Sequence, residues 1–508
     1  MNKRKQLLQS FAGILLLVIG GALALLPGRH YSERRYVVDA ASCRMNLTVM
    51  TRADMLASPN TGAVVLLHGL SANSVIMEYL ARAFANLGLT VFLPDLPGHG
   101  RSPGPFTPDK AESCSASLLR GLTARGMIIP DRTILAGHSM GGAIALRIAD
   151  KFRPAGVIAI SPAPMIPAHG VSPEELLYQT LPLLVPNTLV MTGQFEPVGL
   201  AANAADLATK SPYPSWVKFK LVPWNTHVSM LFSPRVTRDA QQWAAQVLSL
   251  PNTAQLPSRG NLFACVLGLV GVLLIAGPFL REMVGKEAPG QEAARAAGSM
   301  HWLRGALELA LLSAVALQVL RYWNPLRILH LFEGDYLASF FLIVGLGLVL
   351  LHLKVARDDL SIRGGVLLGA AVAGLLLHLL ITGWFALTAI GTWLTWQRWA
   401  RFPLFLIAAF LFFYGIEVVV GPVVNPRIRY AFWCLLMVLA WLGLAFGLFY
   451  LKSGEILLVL LSPYFALELL LSGLGIQLVR RESGSSTAAA LFGAILLAGF
   501  CLVIFPLT

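Results

Sequence analysis

The sequence predicts an α/β chain in two parts. One is a mainly parallel sheet with helices on both faces, over residues 30–250; the other is an all-α region of membrane spans, over 261–508. Three observations predict this. Strand-like apolar runs alternate with helix-like stretches through the first part, as in a parallel sheet built from crossover units. From residue 261 onward, long apolar runs are broken only by short polar loops. In the first part, Gly137-His138-Ser139-Met140-Gly141-Gly142 follows the strand pattern Thr133–Ala136 and precedes the helix pattern Ala143–Ala149.

The composition agrees with a divided chain. Hydrophobic residues make up 56% of the 508 and charged residues 13%, against about 25% charged in soluble domains. The mean hydropathy is +0.67. The net charge of +13 comes from basic residues flanking apolar spans, so it reads as positive-inside anchoring. No basic stripe is interleaved with aromatics, which argues against a nucleic-acid partner.

In chain order, Lys3-Arg4-Lys5 precedes the apolar segment Phe11–Leu26 and Pro27, so residues 1–29 read as a signal anchor or a signal peptide. No A-x-A site follows, which favours an uncleaved anchor. Strands are expected near 44–51, 63–68, 89–94, 132–136, 156–160, 187–192 and 216–222. Helices are expected near 74–87, 111–125, 141–152, 173–181, 199–208 and 235–248. Residues 251–260 read as a short linker. Eight spans then centre on 262–280, 305–320, 336–353, 365–388, 403–424, 430–451, 456–478 and 488–506. With the N-terminus inside, fourteen Lys and Arg fall in inner segments and five in short outer loops. That bias places residues 30–250 outside, on the periplasmic side of a bacterial inner membrane. Cys43 and Cys114 could pair in an oxidising compartment, whereas Cys265, Cys434 and Cys501 lie in apolar spans. No Cys/His spacing suggests a metal, and nothing implies a cofactor.

The turn at Ser139 explains its glycines. A strand that reverses sharply into a helix has no room for side chains at positions 137 and 141, and the turn projects the serine hydroxyl. Three further motifs stand in order around it: Leu66-Leu67-His68-Gly69-Leu70, Asp95-Leu96-Pro97-Gly98-His99-Gly100-Arg101-Ser102, and His227 after the last strand. On these four motifs the region resembles the α/β-hydrolases, in particular monoacylglycerol lipases, lysophospholipases and related esterases. The resemblance covers roughly residues 40–250.

The resemblance implies a serine hydrolase with Ser139 as nucleophile and His227 as its base. Chain order in that family is serine, acid, histidine, so the acid should follow the strand Leu189–Thr192. Glu196 stands there, where family members usually carry Asp; Asp206 is the alternative. The backbone amides of Leu70 and Met140 are the implied oxyanion donors, and Gly69, Gly137 and Gly141 are motif glycines. His68, His99 and His138 read as loop-packing residues and Asp95 as a turn stabiliser. Arg101 could bind an anionic group, though a loop hydrogen bond is the plainer reading.

Only residues 162–186 are available for a cap. Met165, Ile166, Leu176 and Leu177 are expected to form a small apolar substrate rim there. In the spans, Glu308, His378, Glu417 and Glu468 are candidates for function, with interhelical hydrogen bonding as the plainer account. The expected partners are a membrane and a lipid or acyl-ester substrate. Acyl transfer through the same three residues stays open, as does a transporter or scaffold whose hydrolase-like domain only binds.

Overall fold

In a computed structural model, the residues described are 3–508 except 41–42, 55–60, 164–182, 252–254, 285–298, 361, 392–393, 424, 451–456 and 459–460. The chain divides into two compact units, one of residues 1–20, 265–384 and 394–505, the other of 21–264, 385–393 and 506–508. The second is wider than 30–250, because two distant segments join it.

That second unit is built on an eight-stranded sheet. Its strands are β1 (Tyr31–Ala40), β2 (Cys43–Arg52), β3 (Ala63–Leu67), β4 (Thr90–Pro94), β5 (Thr133–His138), β6 (Gly156–Ile160), β7 (Thr188–Gly193) and β8 (Val217–Val222). They lie in the order β1-β2-β4-β3-β5-β6-β7-β8. The neighbours from β4 to β8 are parallel, and β1 and β2 form an antiparallel edge. Strands β3 to β7 are buried throughout and continuously apolar, as a sheet covered on both faces requires. Val64, Leu66, Ile134, Ala136, Ile158 and Ile160 pack in one core with α2 (Glu78–Ala85) and α6 (Pro234–Val247). The alternate residues Val65, Leu135, Val157 and Val190 are buried as completely, on the other face.

The edge strand β1 lies outside the sequence expectation. Its residues Ser32-Glu33-Arg34-Arg35 break any apolar pattern, and most of the strand is exposed, as suits a charged sheet edge. Cys43 on β2 and Cys114 on α3 (Pro108–Ala124) form a disulfide with a Cα–Cα distance of 5.5 Å. The expected helix at 173–181 lies outside the described residues.

The other unit is all helical. By length and composition, eight helices in the chain could cross a membrane among the described residues. They are Lys3–Leu26, Gly260–Val284, Trp302–Tyr322, Gly334–Leu351, Gly364–Thr388, Phe402–Val420, Pro426–Leu448 and Ser486–Ile504. The span expected at 456–478 is observed as a helix, Ser462–Ser483, shifted toward Arg480, Arg481 and Glu482; it is not one of those eight. Gly345 brings two helices together, since a Cβ there would overlap the backbone of Leu411 and Phe412. The three glutamates singled out in the sequence are bonded locally or to a neighbouring helix. Glu417 accepts from Arg480 at 3.1 Å and from Gln477 at 3.0 Å. Glu308 pairs with Arg304 and His352, both at 2.7 Å. Glu468 accepts from Ser472 on its own helix, and His378 is buried against Gly499.

Candidate active site

Loops at the carboxyl ends of β3, β5, β7 and β8 carry the expected site residues, the edge where parallel sheets place their chemistry. Ser139 joins β5 to α4 (Met140–Phe152) with φ 54° and ψ −123°. That is a left-handed conformation costly for a serine and maintained only by its surroundings. The surroundings are backbone: a Cβ on Gly137 would overlap Gly141, and one on Gly141 would overlap the carbonyls of Leu67 and His68. Ser139 N–H also donates to the Ile160 carbonyl at 2.9 Å, and its own carbonyl accepts from Ala143 and Ala163.

The structure brings Ser139, His227 and Glu196 into one line. Glu196 Oε2 lies 2.8 Å from His227 Nδ1. A carboxylate only accepts, so Nδ1 carries the proton and donates. Nε2 is then the acceptor, and the Ser139 hydroxyl donates to it at 2.9 Å. All three residues are buried. The loops of the acid and the histidine are stitched together by their backbones. Gln194 N–H donates to the Val222 carbonyl at 3.0 Å and Phe195 N–H to the Asn225 carbonyl at 2.9 Å. A Cβ on Gly193 would meet that same Asn225 carbonyl. The alternative acid, Asp206, lies on α5 (Val198–Thr209) and pairs with Lys210 at 2.8 Å.

His138 contributes more than its sequence position suggested. Its Nε2 donates to the His227 carbonyl at 2.9 Å, and the two rings lie 4.8 Å apart. Burial, followed by the neighbouring His227, pushes the His138 imidazole down to about 3, so it stays neutral and donates from one nitrogen. The residue before Ser139 thus holds the backbone of His227, a link that only the fold reveals.

The loop after β3 supplies the other wall. A Cβ on Gly69 would stand 3.0 Å from the Ser139 Cβ, so this loop runs directly past the hydroxyl. Leu70 follows it, and Met140 opens α4. The amide of a first helical residue has no acceptor within its helix, which leaves it free to meet developing negative charge. His68 bridges to the loop after β4: its Nε2 accepts from Leu96 N–H at 2.9 Å, and its Nδ1 donates to the Gly69 carbonyl at 2.8 Å. Burial lowers its pKa, in keeping with a neutral ring. Asp95 Oδ1 accepts from Ser74 N–H at 2.8 Å, and its Oδ2 accepts from Arg101 N–H at 3.0 Å. These are the packing and turn roles expected of His68 and Asp95. Arg101 lines a cavity of about 120 Å³ with Arg35, Asn73 and Asp95, and Ser139 does not line it.

The expected rim residues Met165, Ile166, Leu176 and Leu177 lie outside the described residues. A different apolar feature borders the site. Phe195 is 53% exposed and Trp224 82% exposed, and their rings meet edge to face at 5.9 Å. Trp224 has φ 60°, a conformation rare for a bulky side chain. Among the described residues, no group of His, Cys, Asp and Glu is placed to hold a metal.

The model of the serine aminopeptidase S33 family of hydrolases matches residues 58–257. That span contains the serine turn, the acid loop and the histidine loop, on a sheet in the order given above. This domain has the α/β-hydrolase fold. Esterase YjfP of Escherichia coli K12 is 30% identical over 98 residues, 17% of this chain and 38% of that protein. An uncharacterised protein of Mycobacterium tuberculosis is 33% identical over 90 residues, 18% of this chain and 25% of that protein. The chain thus matches only a quarter to two-fifths of these relatives' length. Among solved structures, a thermophilic esterase from Thermogutta terrifontis is 19% identical, with a TM-score of 0.33, covering 42% of this chain and 99% of that one. An α/β serine hydrolase without lid from Xanthomonas campestris is 18% identical, with a TM-score of 0.33, covering 43% of this chain and 96% of that one.

Proposed function

We propose that the chain is a membrane-tethered serine hydrolase that cleaves a lipid or acyl ester through an acyl-enzyme on Ser139. The observation that carries this reading is the line Ser139–His227–Glu196, with steps of 2.9 and 2.8 Å. His227 Nε2 takes the hydroxyl proton as Ser139 Oγ attacks the ester carbon. The oxyanion that forms lies against the amides of Leu70 and Met140. Collapse expels the alcohol, which leaves with the proton from His227. Water, deprotonated by the same nitrogen, then attacks the acyl-enzyme and releases the acid. Glu196 keeps the imidazole in the right tautomer and stabilises its charged form.

Two features favour a lipid substrate. Phe195 and Trp224 expose an aromatic pair beside the acid and the base. Among its described residues the same chain carries eight helices apolar enough to cross a bilayer. A location outside the cytoplasm is supported by the charge bias and by the Cys43–Cys114 disulfide, since such bonds persist in oxidising compartments. Purified protein should hydrolyse long-chain acyl esters in micelles faster than short soluble ones. Phe195→Ser with Trp224→Ser should lower long-chain kcat/KM about tenfold and leave short-chain hydrolysis unchanged. Cleavage of short esters alone would refute the lipid assignment.

A further inference from the structure

The loop after β3 is held at three places. His68 ties it to Leu96 and Ser74 ties it to Asp95, both contacts to the motif that begins at Asp95. The third tie reaches 318 residues along the chain: Asn73 Nδ2 donates to the Gly391 carbonyl at 2.6 Å, and Gly391 N–H donates back to Asn73 Oδ1 at 2.9 Å. The same Oδ1 accepts from Val75 N–H at 3.2 Å and caps the short helix Ser74–Met77. Asn73 is buried, so both of its bonds to Gly391 are shielded from water. A Cβ on Gly391 would come within 2.9 Å of Asn73 Oδ1 and 3.1 Å of Val75 Cγ2, so the close approach depends on glycine.

The tied stretch is the one the oxyanion needs. Ala72 N–H donates to the Gly69 carbonyl at 3.2 Å, closing a turn over Leu70 and Ser71. Ser71 sits at φ 59°, a strained conformation that must be imposed by flanking contacts. Asn73 lies two residues beyond it. The segment 385–393, which includes the end of the helix Gly364–Thr388 and the residues after it, belongs to the same compact unit as the loop.

We infer that Asn73 is a positioning residue and Gly391 its anchor: together they fix the Gly69–Ala72 turn and thereby set where the Leu70 amide meets the oxyanion. The inference rests on the proposed serine chemistry and adds a control point encoded between two apolar helices. Removing a whole oxyanion donor costs on the order of 10²–10³ in kcat. Displacing one costs part of that.

The test uses the full chain in detergent and a soluble short-chain nitrophenyl ester. Asn73→Ala should lower kcat about 10- to 100-fold with KM within about threefold, because the oxyanion exists only after attack begins. Gly391→Ala leaves Asn73 in place and should lower kcat in the same way. Asn73→Asp keeps the acceptor for the amides of Gly391 and Val75 and should restore part of the loss. Fluorophosphonate labelling of Ser139 should slow in parallel with kcat. Asn73→Ala and Gly391→Ala variants that melt like wild type and turn over at its rate would overturn the inference while the serine chemistry stood. A rise in KM at unchanged kcat would overturn it too. A wild type that neither labels nor hydrolyses would overturn the serine reading first, and this inference with it.

Discussion

Glu196 reaches His227 with one methylene more than the aspartate usual in this family, and its Oε2 still arrives 2.8 Å from Nδ1. The extra length is accommodated because Gly193 and Asn225 let the acid loop lie directly on the histidine loop. Glu196→Gln should preserve the packing but favour the wrong imidazole tautomer, lowering kcat by about 10⁴. Glu196→Asp should fall between that variant and wild type, because its carboxylate retreats from Nδ1. Both changes are read as kcat on a nitrophenyl ester. A Glu196→Gln enzyme within tenfold of wild type, beside a crippled Asp206→Asn, would move the acid to Asp206. The ion pair of Asp206 with Lys210 argues against that outcome.

At the scale of elements, the disulfide joins the edge strand β2 to α3 and closes a loop of 71 residues in sequence separation. Cross-links of this span contribute about 2–5 kcal/mol, in the usual account by restricting the unfolded chain. Cys114→Ser should therefore lower the melting temperature in non-reducing buffer, and dithiothreitol should lower the wild type to match. Equal melting temperatures for wild type with and without reductant would show that the bond does not form. Strands β2 to β8 were legible in the sequence, with ends within about two residues: β3 to β7 as short apolar runs between breakers, β2 and β8 as alternating ones. Strand β1 was not, because an exposed edge selects charge rather than hydrophobicity. Ser139, His227 and Glu196 were legible from motif order, but the His138 link to the His227 carbonyl was not. The Asn73–Gly391 pair was hidden for a different reason. Nothing local marks an asparagine and a glycine 318 residues apart as partners.

At the scale of the whole molecule, the number of crossings is constrained by a small backbone bridge. Phe106 N–H donates to the Leu507 carbonyl at 2.6 Å, and Leu507 N–H donates to the Gly98 carbonyl at 3.0 Å. Residues 506–508 therefore share a compact unit with the hydrolase sheet, as does 385–393. In the proposed membrane reading, all of these lie on one side. Four of the apolar helices separate residue 259 from 389, an even number that returns the chain to the same side. Only three of them separate 391 from 506, so we propose that Ser462–Ser483 crosses as the fourth. An alkaline phosphatase fused after Thr508 should be active and a fluorescent reporter there dark; the reverse pattern would place the last segment inside and refute an arrangement in which the eight apolar helices and Ser462–Ser483 all cross.

The most direct measurement is labelling of the purified full chain with a fluorophosphonate, which traps a serine activated by a neighbouring imidazole. Wild type should label stoichiometrically at a single site, Ser139, and lose ester hydrolysis as it does. Ser139→Ala should not label, and His227→Ala should label at least 10³ times more slowly. A folded wild type that stays unlabelled, or a Ser139→Ala variant that keeps hydrolysing esters, would contradict the account.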